Sequence, residues 1–501
     1  MERGNVLFVT IDQMAAEVLD GPLAAFVPTP AIDRLRASAT SFGAHVTVTV
    51  PCGPARASLL TGLYAMNHRS IRNGTPLARH HATLAGEARR AGYEPLLLGY
   101  TDTTPDPAAL DPEDPDLLSY EGVAPGFREL VEMRFDDGLE WPAYLRAKGY
   151  AFDLDRGAPV SGVYRPCATG NRPRPSDPAF YRAEDSDTAY LTDRTLQALD
   201  IRRDAPWFAH VTYIRPHPPL VAPEPYNRLI APGDLPRPDL ARPAHPFLDA
   251  WFSAPAVRGL YWGFDGDCDA LPAETVAELR AVYLGLVAEV DHHLGRLLDW
   301  LDATGQAGRT LVVLTADHGE MLGAKRMWGK ESVFDPAFRV PLVIRDPRAA
   351  GGAGRRVDAL TESVDVAPTI LDWIGRAAPP AMDGRSLLPL IAGATPPDWR
   401  DAGFMEADFG HPQRPTRFQR HLGLAPEQAG VAILRERRWK YVHFGGGVPP
   451  MLFDLEADPT ETRNLADLPA HAAEVSRLRQ RLIDRMTERR DRRLTHLSLG
   501  A

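Results

Sequence analysis

Thr310-Leu311-Val312-Val313-Leu314-Thr315-Ala316-Asp317-His318-Gly319-Glu320 is the stretch on which the reading of this chain turns. Thr310 to Thr315 is apolar and β-branched, suited to a strand buried on both faces, and it runs straight into an acid and a histidine. Upstream, Val276, Leu279, Val282, Leu286, Val290, Leu294, Leu297 and Leu301 recur at intervals of three and four, which predicts one long amphipathic helix over Glu274 to Leu301. The same pattern repeats elsewhere. Val6 to Ile11 stops at Asp12, and a short helix from Thr83 to Gly92 precedes a strand from Pro95 to Gly99 that ends at Tyr100. Trp207 to Ile214 enters Arg215-Pro216-His217-Pro218-Pro219, where prolines forbid continuation and leave His217 on a rigid strand-end turn. Val340 to Ile344 supplies one more strand. Strands alternating with helices, with acids or histidine at their ends, predict an α/β fold. Its central sheet is mostly parallel, with helices on both faces and a site along the carboxyl edges.

The character changes after about Arg400. Val431 to Arg435, Lys440 to Phe444 and Met451 to Asp454 alternate and are separated by glycine and proline, predicting a smaller C-terminal α+β part with an antiparallel sheet. The expected division is a large α/β domain over 1–400 and a C-terminal sheet with a terminal helix over 401–501. In that helix Val475, Leu478, Leu482 and Met486 form an apolar stripe, while Arg477, Arg481, Arg485, Arg489 and Arg492 lie on other faces. A docked helix with a solvated charged face is the first reading, nucleic-acid contact the weaker one. The 47 prolines gather at Ala158 to Pro178 and Pro216 to Pro246, read as ordered loops around a site.

Composition sets the outer bounds. With 501 residues, 44 % hydrophobic and 24 % charged, the chain buries a sizeable core and is neither disordered nor fibrous. A formal charge of −10 gives no global attraction to nucleic acid or anionic lipid. Three cysteines (Cys52, Cys167 and Cys268) cannot build a disulfide framework, which points to reducing cytosol. Asn5 to Val9 is too short for a signal-peptide core, and no run approaches the roughly 18 apolar residues of a membrane span. No nucleic acid, no membrane and a cytoplasmic location are the expectations.

Cys52-Gly53-Pro54-Ala55-Arg56, trailed by Ala57-Ser58-Leu59-Leu60-Thr61-Gly62, carries the chemistry. Proline two places after the cysteine suits a helix's first turn and sets Cys52 at the N-terminus, where free N–H groups favour an anion. Taken alone, Cys52 also reads as a small buried hydrophobe. The segment resembles the type I sulfatase signature of the alkaline phosphatase superfamily. The similarity extends through Asp12-Gln13, Tyr213 to Pro219, Thr315 to Glu320, and on to Leu452-Phe453-Asp454-Leu455 with Asp458-Pro459 and Asn464-Leu465. Within that superfamily, Val50 to Tyr64 with Met66-Asn67-His68-Arg69 most resembles the phosphonate monoester hydrolases. Asp-Gln and Asp-His, in place of Asp-Asp and Asp-Asn, point the same way.

Independently of the resemblance, Asp12 and Asp317 with His318 offer two hard oxygens and an imidazole at neighbouring strand ends. A mixed set of this kind suits Mn²⁺, Fe²⁺ or Zn²⁺ better than Ca²⁺. Gln13 is read as a neutral donor behind the ligands. The resemblance implies that Cys52 is oxidised to formylglycine by a formylglycine-generating enzyme. It implies also that residue 52 joins the metal site, and that its hydrated aldehyde attacks phosphorus or sulfur in line and releases the oxyanion by C–O cleavage. It further sets Arg56 beside the nucleophile and Asn73, Tyr100, His217 and Lys330 around the transferred group, with His217 or Lys330 assisting the leaving oxygen. Each also has a bland reading: Lys330 as surface, Tyr100 as core edge, Asn73 as a turn former before Gly74. His80, His81, His292 and His293 have no such support and are read as structural.

Asp102 departs from the pattern, standing where those phosphonate hydrolases carry threonine. It either tunes substrate charge, repelling a dianion and tolerating a monoanion with a cationic leaving group, or caps Thr104 or pairs with an arginine. The implied activity is metal-dependent hydrolysis of phosphonate monoesters and phosphodiesters, with promiscuity toward sulfate esters. The alternatives are a dedicated aryl or choline sulfatase and a non-catalytic anion-binding relative. The resemblance also implies a homo-oligomer, a tetramer.

Overall fold

The computed structural model describes residues 3–135, 138–152, 162–167, 173–349 and 351–491. The first proline-rich stretch falls partly, and Arg492 wholly, outside them. The central sheet has eight strands, in the order Arg355–Val357, Thr40–Phe42, Leu342–Arg345, Thr310–Ala316, Asn5–Ile11, Phe208–Tyr213, Pro95–Gly99 and Arg128–Glu132. All neighbouring pairs are parallel except the two that Leu342–Arg345 makes. Ile11 lies opposite both Tyr213 and Ala316, so three strands end level and deliver Asp12, Ile214 and Asp317 to one edge.

The central strand is buried at every position, and its alternation feeds two cores. Leu7, Val9 and Ile11 pack with Leu279, Val282, Leu286 and Val290 of the Ala273–Ala303 helix. Val6 and Phe8 pack on the opposite face with Leu59, Leu60, Leu84 and Ile370, from the helices Cys52–Thr61, Leu84–Arg90 and Val366–Trp373. A strand covered on both sides has no polar face to alternate, which is why its sequence reads as a continuous apolar run.

The second sheet runs Met451–Asp454, Trp439–Phe444, Gly430–Arg435, Gly403–Asp408 and Thr49–Val50, the first four antiparallel. Sequence periodicity did not disclose Gly403–Asp408 or the two-residue strand Thr49–Val50, which pairs parallel to it. That last strand leads through Pro51 into Cys52, so the C-terminal sheet grips the chain just before the helix start. Val475, Leu478 and Leu482 of the Ala472–Glu488 helix pack on Leu434, Tyr441 and Leu452. On its outer side Arg477 pairs with Glu436 at 2.6 Å and Arg481 with Asp401 at 2.6 Å, so acidic partners already meet these arginines. No helix among the described residues is long and apolar enough to cross a membrane.

Candidate active site

Four side chains from three elements converge at the level strand ends. Asp12 follows Asn5–Ile11, Asp317 and His318 follow Thr310–Ala316, and Cys52 opens the Cys52–Thr61 helix. One potential donor atom from each lies within 4.8 Å of the others, and all four residues are buried. Cys52 Sγ is 3.2 Å from His318 Nε2, which in turn is 3.7 Å from Asp12 Oδ1 and 3.8 Å from Asp317 Oδ1. His318 Nδ1 lies 3.1 Å from the Gly319 carbonyl, which can only accept. The ring proton is therefore on Nδ1, and the Nε2 lone pair points into the cluster.

Beneath the carboxylates Arg56 acts as a fork. Its Nε donates to Asp317 Oδ2 at 2.9 Å, its Nη2 to Asp12 Oδ2 at 3.1 Å and its Nη1 to the Tyr100 carbonyl at 3.0 Å. The Tyr100 ring stacks 4.0 Å from the guanidinium, and its hydroxyl donates to Asp12 Oδ2. Arg56 and Tyr100 thus orient the carboxylates, and neither lines the open cavity. Asp317 Oδ1 accepts from the backbone N–H of Gln13 and of His318, at 3.1 and 2.8 Å. Asp12 Oδ1, by contrast, is buried without a hydrogen-bond partner.

The electrostatics follow from this crowding. Burial, reinforced by the charge of Asp317, pushes Asp12 up to about 7. Burial also resists the charge on Asp317, yet His318 and Arg56 outweigh it and hold that carboxyl below its ordinary range. Burial lowers His318 to about 3, keeping the imidazole neutral, and pushes the Cys52 thiol well up, with Asp12 adding to it. Two carboxylates share one arginine, one carboxylate oxygen is orphaned, and a neutral imidazole nitrogen faces them. A divalent cation fits that donor set.

A cavity of about 700 Å³ opens beside the cluster, lined on its inner side by Gln13, Pro51, Asn73, His217 and Lys330. Lys330 Nζ donates to Gln13 Oε1 at 2.7 Å, and Gln13 Nε2 donates to Glu320. Burial works against the charge of Lys330, but Cys52, Asp12 and Asp317 outweigh it and raise its pKa. Asn73 Oδ1 accepts from the Gly53 N–H at 3.0 Å, satisfying an orphan donor of the helix start and leaving its NH₂ as the polar group not so engaged. His217 Nδ1 lies 2.6 Å from the Pro218 carbonyl, so it carries the ring proton. Burial, with Lys330 adding, keeps the ring neutral. Asp102 is buried in the left-handed region at φ 48°, with its backbone carbonyl against Gly53, and its charge is felt by Cys52, Arg56 and Tyr100.

Two contributors escaped the sequence reading. Glu320 accepts from the N–H groups of Leu322 and Gly329, at 3.0 and 2.6 Å, as well as from Gln13. Its place in the Asp-His-Gly-Glu run was the available signal. Arg215 is buried behind the His217 turn and donates to the carbonyls of His217 and Pro219, at 2.8 and 2.9 Å. Nothing in its spacing announces that clamp. His293 is buried on the long helix, away from the cluster.

Level strand ends bearing carboxylates surround a cysteine that opens a helix, and similarity to known proteins gives the class, a hydrolase of the alkaline phosphatase superfamily. The chain belongs to the sulfatase family: the Sulfatase model matches residues 4–376, and the N-sulphoglucosamine sulphohydrolase C-terminal model matches residues 323–488. Membership implies a divalent metal and a formylglycine made from cysteine. The chain is 47 % identical to the phosphonate monoester hydrolase SpPMH from Silicibacter pomeroyi, with a TM-score of 0.94 over 99 % of this chain and 98 % of that one. It is 38 % identical to the multifunctional alkaline phosphatase superfamily protein PehA of Trinickia caryophylli, over 99 % of this chain and 98 % of that protein. The choline-sulfatase of Rhizobium meliloti is more distant, at 27 % identity over 100 % of this chain and 88 % of its own.

Proposed function

We propose that this protein hydrolyses phosphonate monoesters and phosphodiesters, and sulfate esters less well, with a formylglycine made from Cys52 as nucleophile. The observation that carries the reading is the gap in similarity: 47 % identity to a phosphonate monoester hydrolase against 27 % to a choline-sulfatase. Asp12, Asp317, His318 and residue 52 would hold the metal, Mn²⁺ first among the candidates, which when bound stabilises negative charge at the reacting centre.

The chain's own residues divide the remaining work. Arg56 and Tyr100 hold the carboxylates in orientation. The NH₂ of Asn73 and the ammonium of Lys330 offer donors to the oxygens of the transferred group, and Lys330 gives a proton to the leaving oxygen. Neutral His217, its proton committed to Pro218, presents Nε2 as an acceptor and so positions rather than protonates. Asp102 tunes this pocket against dianions. The catalytic domain over 1–400 and the C-terminal sheet and helix over 401–501 act together, because residues 408–420 complete the cavity wall. Maturation requires a formylglycine-generating enzyme. The cytoplasm and a homotetramer complete the proposal, the first supported by three cysteines that are all free.

Three measurements test it. Mass analysis of the tryptic peptide bearing residue 52, from the native host, is expected to show the aldehyde, and an unmodified thiol there overturns the mechanism. A kcat/KM for a phenylphosphonate monoester above that of the matching aryl sulfate is expected. Preference for the sulfate by orders of magnitude makes the protein a dedicated sulfatase. Asp102→Thr is expected to raise kcat/KM on the phosphonate by about tenfold, as when ~1.4 kcal/mol of repulsion is relieved.

A further inference from the structure

The cavity is wider than a phosphoryl or sulfuryl group requires, and its outer wall has a charge pattern of its own. That wall comes from the segment after Gly403–Asp408, together with Arg72 and Glu331. Residues 409–420 hold three arginines, a histidine and no acid. The two acids that line the wall are already engaged: Asp408 faces Arg72 at 3.9 Å, and Glu331 is paired with Arg417. Arg420 is left over. Among the described residues its guanidinium has one hydrogen-bond partner, the Pro415 carbonyl, and no ion pair. His411 Nδ1 accepts from the backbone N–H of Gln413 and of Arg414, at 3.1 and 3.0 Å, which places its ring proton on Nε2. Charge and donors are therefore in excess on this wall, and its acceptors are taken. Phe409 and Phe418 of this wall, with Phe135 against His217, add apolar surface to the cavity.

Resting on the proposed ester hydrolysis, we infer that this wall is a subsite for the leaving alcohol, and that it selects alcohols with an apolar body and an anionic terminus, a carboxylate or phosphate, met by Arg420 and His411. A cationic terminus would have to displace Arg72 or Arg417 from its acid. Asp102 does not line this wall, so its effect stays with the transferred group.

Three phenylphosphonate monoesters separate the possibilities, with leaving groups 4-hydroxyphenylacetate, 4-methylphenol and tyramine. Methylene spacers insulate the charges, so the phenols leave with similar intrinsic ease. The anionic ester is expected to have the highest kcat/KM, about tenfold above the neutral one, the size of one charge-assisted hydrogen bond in a half-open site, and the cationic ester the lowest. The gain should lie in KM and shrink as salt rises, because the wall is open to solvent. Arg420→Ala should bring the anionic-to-neutral ratio close to one. Equal values for all three esters, or a ratio unmoved by Arg420→Ala, overturns the subsite. If aryl sulfates turn over and no phosphonate does, it is the proposed substrate class that fails, and the same three alcohols as sulfate esters decide the subsite.

Discussion

Arg56 illustrates how much one side chain decides here. Its planar fork spans Asp12, Asp317 and the Tyr100 carbonyl at once, which an ammonium cannot do. Arg56→Lys is therefore expected to weaken metal binding by about 10–100-fold, as loss of an orienting partner behind metal ligands does, and to lower kcat with little change in KM. Equilibrium metal titration beside steady-state kinetics checks it. Asp317 carries the stronger expectation, because it accepts from Gln13 and His318 on one oxygen and from Arg56 on the other. Asp317→Asn should abolish turnover and lower metal content in elemental analysis. Full metal occupancy with activity in that variant would remove Asp317 from the ligand set.

At the scale of elements, the turn after Thr310–Ala316 is held from behind. A Cβ on Gly319 would lie 2.0 Å from the Pro336 carbonyl oxygen and 3.1 Å from that of Arg339, both backbone atoms that cannot swing away. Gly319→Ala should destabilise the protein by about 1–3 kcal/mol, as overpacking a close-packed site does. Because the Gly319 carbonyl fixes the His318 ring, the same variant should also loosen the metal. Denaturant unfolding and metal titration on one preparation would measure both, and a stable variant with unchanged metal affinity would show that the turn relaxes freely.

Across the whole molecule, buried charge ties the C-terminal sheet to the helix Asp335–Phe338, which leads into the central-sheet strand Leu342–Arg345. Asp335 pairs with Arg435 at 2.8 Å and with Lys440 at 2.9 Å, and Lys440 also meets Glu461 at 2.6 Å. Asp335→Ala leaves Arg435 without its ion-pair partner and Lys440 with Glu461 alone, and should cost about 3–5 kcal/mol, read as a lower midpoint in denaturant. Glu289 sets a pH dependence. Burial, with the Asp187 charge adding, pushes it up to about 8. The native state therefore keeps a proton that the unfolded chain loses near its ordinary value, and stability declines as pH rises from about 5 to 8. Glu289→Gln should flatten that slope and stabilise the protein at about pH 8 by ~2 kcal/mol, measured by urea unfolding across the range.

Local sequence determined the elements whose signal is local. Val6 to Ile11 and Thr310 to Thr315 read as buried strands because both faces are covered, and the three-and-four spacing of Val276 to Leu301 reads as a helix because one stripe is buried. The strand-end acids were legible for the same reason, since a strand stops where its apolar run stops, and the Cys52 segment was legible from its proline and its resemblance to the sulfatase signature. Pairing was not. Leu342–Arg345 runs antiparallel to both neighbours, and Thr49–Val50 joins a sheet built from residues over 350 positions later, because two or four residues carry no periodicity that names a partner. The tertiary structure alone decided that Arg56 and Tyr100 face the carboxylates rather than the cavity, that Arg215 clamps the His217 turn, and that Arg420 lines the cavity without an acid. A side chain's direction depends on which surfaces the register brings level, and register is a property of the assembled sheet.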